Sequence, residues 1–127
     1  MLLTLHTLKA KPFQEQIRTI ELLTEQNVDL FEGIRPLLED RSEDSIFYIS
    51  VSADRHKVVR VALLAVVDAD IATIPDRGAR APYRRRLDEL CKHFAIDDRD
   101  LAVTVRYASQ IESFLAGRTR SPEGSAK

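Results

Sequence analysis

Asp54-Arg55-His56-Lys57-Val58-Val59-Arg60-Val61-Ala62-Leu63-Leu64-Ala65-Val66-Val67 is the stretch on which the fold turns. Apart from Arg60, residues 58–67 are apolar on both faces, and five of the ten are valine. Branching at Cβ favours a strand, and a strand covered on both sides carries just such an unbroken apolar run. The expectation is a buried central strand at 58–67, with residues 54–57 as a four-residue hairpin loop. The rival is a buried helix beginning near Asp54, because a run apolar on every side has no period to separate the two.

Upstream, residues 46–53 (IFYISVSA) alternate. Phe47, Ile49, Val51 and Ala53 share one face, and Tyr48, Ser50 and Ser52 the other, which is the period of a strand. A polar loop, 41–45, precedes it. Residues 12–34 carry a helical period. Phe13, Ile17, Ile20, Leu23, Val28, Phe31 and Ile34 fall within an arc of roughly 140° at 100° per residue. Pro12 suits the first position, and Gly33 and Pro36 close the element. Residues 2–9 read as a further strand covered on both sides.

Downstream, residues 68–81 are loop-like, with Pro75 and Gly78. Residues 82–95 return to helix behind Pro82, with Tyr83, Leu87, Leu90, Cys91 and Phe94 on one side. Residues 98–116 fit two patterns. One is a strand at 101–107 followed by a helix at 109–116. The other is helical throughout, capped at Asp97 or Asp98. Taking the strand gives the order βαββαβ(α), an α+β sandwich of ferredoxin-like type over residues 1–117, with a disordered tail at 118–127. The alternative is a mainly helical chain with a helix-turn-helix-like C-terminal half.

The chain has 127 residues and a formal net charge of −1. That is one domain's length, and its 38 Leu, Ile, Val and Phe residues exclude intrinsic disorder. The single cysteine, Cys91, excludes an internal disulfide framework and a multi-cysteine zinc site. Residues 1–8 lack the basic flank of a signal peptide, and Val61–Val67 is far short of a membrane span. A cytoplasmic protein with no membrane contact is therefore expected. The neutral total hides a cancellation. Residues 12–54 hold ten acids and three bases, whereas 55–127 hold ten acids and fourteen bases.

No phosphate-binding glycine loop, nucleophile elbow or zincin motif occurs, so neither enzymatic activity nor a cofactor is expected. Cys91-Lys92-His93 resembles a ligand pair, but the helical period sends Cys91 and His93 to different sides, and no metal site is expected. Asp54, His56 and nearby arginines would serve a small toxin-type nuclease, the third of three functional readings. The unusual segment is RGARAPYRRR, residues 77–86, with Arg77, Arg80, Arg84, Arg85 and Arg86 and no acid. The guanidinium fork suits phosphate or carboxylate, and a helix amino end adds partial positive charge. Asp88 and Glu89, four residues beyond Arg84 and Arg85, are the opposing consideration, since such pairs neutralise a solvated face.

These residues form a candidate surface for an anion or an acidic partner. The favoured function is a non-catalytic regulatory or protein-interaction module, a homodimer with an unidentified protein partner. A nucleic-acid-binding regulator using residues 77–106 is the second reading. Its reading helix would begin at Asp98 after a turn at 95–97. Asp97, Asp98 and Asp100 at that end would repel phosphate.

Overall fold

The computed structural model describes residues 10–33 and 55–125, with side chains through 116. Every regular element in them is a helix. They are α1 (Phe13–Gln26), α2 (Arg55–Ala72), α3 (Arg77–His93), α4 (Asp98–Val105) and α5 (Ala108–Ser125). The α+β ferredoxin-like expectation is therefore wrong, and the described residues are of the all-helical class. The expected strands at 2–9 and 46–53 and the loop at 41–45 lie outside the described residues.

The central correction is α2. The expected hairpin loop at 54–57 and strand at 58–67 are replaced by one helix of 18 residues. Val58, Val59, Val61, Ala62, Leu63, Leu64, Ala65, Val66 and Val67 are all at most 7% exposed. They point in every direction around the helix axis, because α1, α3, α4 and α5 all pack against it. Valine costs a helix only about 0.5 kcal/mol relative to alanine, whereas burying its side chain returns roughly 1.5–3 kcal/mol. Tertiary packing thus overrides the local preference.

In α1, Ile17, Ile20 and Leu23 enter the core, with Gln16 and Thr24 buried beside them. The expected single helix at 12–34 is interrupted. Asn27 turns its side chain back, and Nδ2 donates to the Leu23 carbonyl at 2.8 Å. The chain turns at 27–29 and is helical again at 30–33, where Leu30 and Phe31 are buried. Asparagine competes for the helix's own carbonyls, so the apolar period survives a break in the backbone.

The expected loop at 68–81 shrinks to 73–76. Asp76 caps α3, its Oδ1 accepting from the Gly78 backbone N–H at 3.1 Å. The helix therefore starts at Arg77, and Pro82 lies in its second turn instead of opening it. Aspartate supplies the acceptor that the first turn lacks, which outweighs the preference of proline for the first position.

The α3–α4 junction is a tight reversal. The Ile96 N–H donates to the Cys91 carbonyl at 2.8 Å, and the Ala95 N–H to the Lys92 carbonyl at 3.2 Å. This pair of bonds is a Schellman closure, with Ile96 buried as its apolar anchor. Its left-handed position is occupied by Ala95, at φ 55°. Asp97 then caps α4, accepting from the Arg99 N–H at 3.1 Å. The expected strand at 101–107 is thereby overturned. Capping by Asp97, together with Asp98 and Asp100 in the first turn, favours a helix amino end, and Val103 and Thr104 turn inward on α2. The expected helix at 109–116 lies within α5, which buries Ala108, Ile111 and Leu115.

Alanine at a left-handed position costs about 1–2 kcal/mol that glycine does not incur, partly offset by the larger entropy glycine loses on folding. Ala95→Gly is expected to stabilise the protein by roughly 0.5–1 kcal/mol in urea unfolding. A loss of stability would show that the backbone at 95 carries no strain.

Candidate functional site on the arginine-rich helix

The five arginines of 77–86 all lie on α3, but they do not converge. Arg80 folds back onto the preceding connection. Its Nε donates to the Ile74 carbonyl at 2.6 Å and its Nη2 to the Pro75 carbonyl at 3.4 Å. Arg84 crosses to α2, where Nη1 donates to the Asp68 carboxylate. Arg86 reaches α1. Its Nη1 donates to Gln16 Oε1 at 2.7 Å and to the Lys11 carbonyl at 3.3 Å, and its guanidinium lies 5.5 Å from the Phe13 ring centroid. Gln16 is fully buried, so its amide oxygen needs such a partner. Arg86 Nε also pairs with Glu89 Oε1 at 3.0 Å.

The neutralising pairs expected from spacing are accordingly redistributed. Arg84 uses Asp68 in place of Asp88, and Glu89 serves Arg86 in place of Arg85. Three arginines act as struts that tie α3 to α1, to α2 and to the α2–α3 connection. Arg77 and Arg85 remain exposed on the outer side of α3, with no ionic partner among the described residues. Eight residues apart, they are separated by about 12 Å along the helix.

The other sequence candidates are dispersed. Cys91 is buried, and burial, aided by the charges of Asp88, Asp98 and Asp68, pushes its thiol up to about 12. A thiol held protonated is neither a nucleophile nor a ready metal ligand. His93 is exposed at the end of α3, edge-on to Phe94 at 4.8 Å and to Phe13 at 6.0 Å. His56 stands in the first turn of α2, its Nε2 3.5 Å from Glu25 Oε2 on α1. It is twelve residues from Asp68, about 18 Å along the same helix, so it does not join the arginines in one centre. Asp54 lies outside the described residues. Among the described residues, no three His, Cys, Asp or Glu side chains gather as a metal ion would require.

The helix that would read DNA, α4, has its turn and start where the spacing places them, at 95–97 and Asp98. Its inner side is spent on α2, however, and its leading turn is acidic. No known protein family, curated protein or solved structure matches the chain. No helix among the described residues is long and apolar enough to cross a membrane.

Leu22, unmarked in the sequence, and Asp100, marked there only for its charge, are conspicuous in the structure. Leu22 is 57% exposed on α1. The available signal was its place outside the apolar arc, on the polar side of the helix. Asp100 is 2% exposed in α4, and its Oδ1 makes no hydrogen bond. Burial raises its carboxyl pKa from the ordinary aspartate value, with Lys57 opposing and Asp97 adding to the shift.

Because the folded pKa of Asp100 exceeds the unfolded one, ionisation disfavours folding. That penalty is full above the folded pKa and fades as pH falls through it towards about 3.9, the unfolded value. Asp100→Asn is therefore expected to be more stable than the parent at pH 7, with the difference shrinking as the pH approaches 4. Urea midpoints measured across that range check this. A difference independent of pH would refute it.

Proposed function

We propose that this protein is a small non-catalytic interaction module that self-associates and engages an acidic partner through the exposed arginines of α3. The observation that carries the proposal is the sorting of the arginine cluster. Arg80, Arg84 and Arg86 are used internally, while Arg77 and Arg85 face solvent with no carboxylate paired to either among the described residues. Their outward side is shared with Lys92, and Arg77 sits in the first turn of α3, where the helix's partial charge is also positive. A carboxylate-rich surface would find two forked donors there, spaced by about two turns. A partner bound through two solvated arginines binds weakly and in a salt-sensitive manner.

Fluorescence anisotropy with a labelled polyglutamate peptide tests this reading. Binding is expected at low ionic strength, to fall with added salt, and to weaken about three- to tenfold when Arg77 and Arg85 are both replaced by alanine. Binding that ignores those two replacements would refute the assignment. Duplex DNA serves as the competing probe, and tighter salt-dependent binding of DNA through the same two arginines would favour the nucleic-acid reading instead.

A further inference from the structure

The outer faces of α1 and α3 carry opposite charge, each with one exception. On α1, Glu15, Glu21 and Glu25 are exposed against the single Arg18. On α3, Arg77, Arg85 and Lys92 are exposed against Asp88, which pairs with no base among the described residues. At 100° per residue, Glu15, Arg18, Glu21 and Leu22 span an arc of about 120° on α1, and Arg85, Asp88 and Lys92 one of about 60° on α3. Like charge keeps either face from docking on its own copy. We infer that the outer face of α1 in one copy docks, antiparallel, on the outer face of α3 in a second copy.

The spacing of the charges specifies that occupant. Set Glu21 at the level of the partner's Arg85, with the helices running in opposite directions. Arg18 then meets the partner's Asp88, about 4.5 Å further along each axis, and Glu15 lies within about 1.5 Å of the level of the partner's Lys92. The order acid, base, acid on α1 thus faces base, acid, base on α3. In the other direction the partner's Arg77 falls about 12 Å away, level with the turn at 27–29 that carries the exposed Asp29. With the helices parallel in the same register, Arg18 would face Pro82 and Asp88 would face the buried Thr24, so the charge order selects the antiparallel sense. A uniformly acidic or uniformly basic partner would set a like charge against Asp88 or Arg18, whereas a second copy satisfies both exceptions.

The exposed Leu22 fits this arrangement. It is 57% exposed and floors an open recess lined by Arg18, Thr19, Glu21 and Glu25. An apolar floor with carboxylates at its rim suits an arginine, whose methylene stem covers the leucine while its guanidinium meets an acid. The partner's Arg85 stands at the level of Glu21 and Leu22 and supplies that side chain.

The inference rests on the self-association and the exposed arginines proposed above, and names the acidic surface those arginines meet. Because the contact joins unlike faces, one kind of chain supplies both halves. Exposed ion pairs contribute little each and are screened by salt, so the assembly is expected to be micromolar or weaker and to dissociate as salt is added.

Analytical ultracentrifugation of the full chain at low ionic strength over a wide concentration range is the test, with circular dichroism to show that each variant keeps its helices. One variant reverses the basic face, Arg85→Glu with Lys92→Glu. The other reverses the acidic face, Glu15→Lys with Glu21→Lys. The parent is expected to self-associate, and each variant alone to do so about tenfold more weakly or less. An equimolar mixture of the two variants is expected to regain association, because the unaltered α1 of one then meets the unaltered α3 of the other. Association that neither variant weakens, or that the mixture fails to regain, would overturn this surface while leaving self-association standing. A chain that stays monomeric at every concentration would overturn both, with polyglutamate binding still deciding the arginine site by itself.

Discussion

Everything described in this protein depends on the enclosure of α2. A helix whose side chains are apolar in nearly every direction is stable only if other elements cover it on every side. Here α1, α3, α4 and α5 do so. The requirement explains why each neighbour presents one apolar stripe inward: Ile17, Ile20 and Leu23 from α1, Leu87, Leu90 and Cys91 from α3, Val103 from α4, and Ile111 and Leu115 from α5. It also explains the short α3–α4 reversal. Residues 94–97 must bring α4 back onto the same central helix at once, and the left-handed backbone at Ala95 is the means.

The same enclosure sorts the charged residues. An arginine on the flank of α3 that faces α2 or α1 meets buried or half-buried acceptors, namely Asp68 and Gln16. Such arginines become part of the framework. The exposed arginines, Arg77 and Arg85, keep their charge for solvent or for another molecule. A run that looks uniform in sequence is therefore two populations, divided by which acceptors lie within reach: Arg77 and Arg84 are seven residues apart and share a flank, but only Arg84 meets the Asp68 carboxylate. Arg60 shows the intermediate case. Its guanidinium lies 4.9 Å from the Phe94 ring centroid while its Nε is buried without a hydrogen bond.

Much of the architecture was legible and some was legible wrongly. The amphipathic period of α1 and the apolar side of α3 could be read because each is exposed on one side, which leaves a pattern. The α2 segment could not, since total burial erases the period and leaves only valine's weak preference for strands. The α4 segment was misread for a related reason. Eight residues are too few for the period to outweigh the alternation of Leu101, Val103 and Val105. In the candidate site, the arginine cluster was visible at once, whereas its division was not, because Asp68 and Gln16 are distant in sequence from Arg84 and Arg86.

The sequence by itself determined the caps, the charge segregation and the set of residues that must be buried. Asp76 and Asp97 start helices through their own side chains, and Asn27 interrupts one, all by local hydrogen bonds. Only the tertiary structure decided that residues 58–67 form a helix and that three of five arginines are internal struts. Those outcomes depend on which surfaces meet, and burial energy summed over a whole helix exceeds the few tenths of a kcal/mol by which any one residue prefers strand or helix.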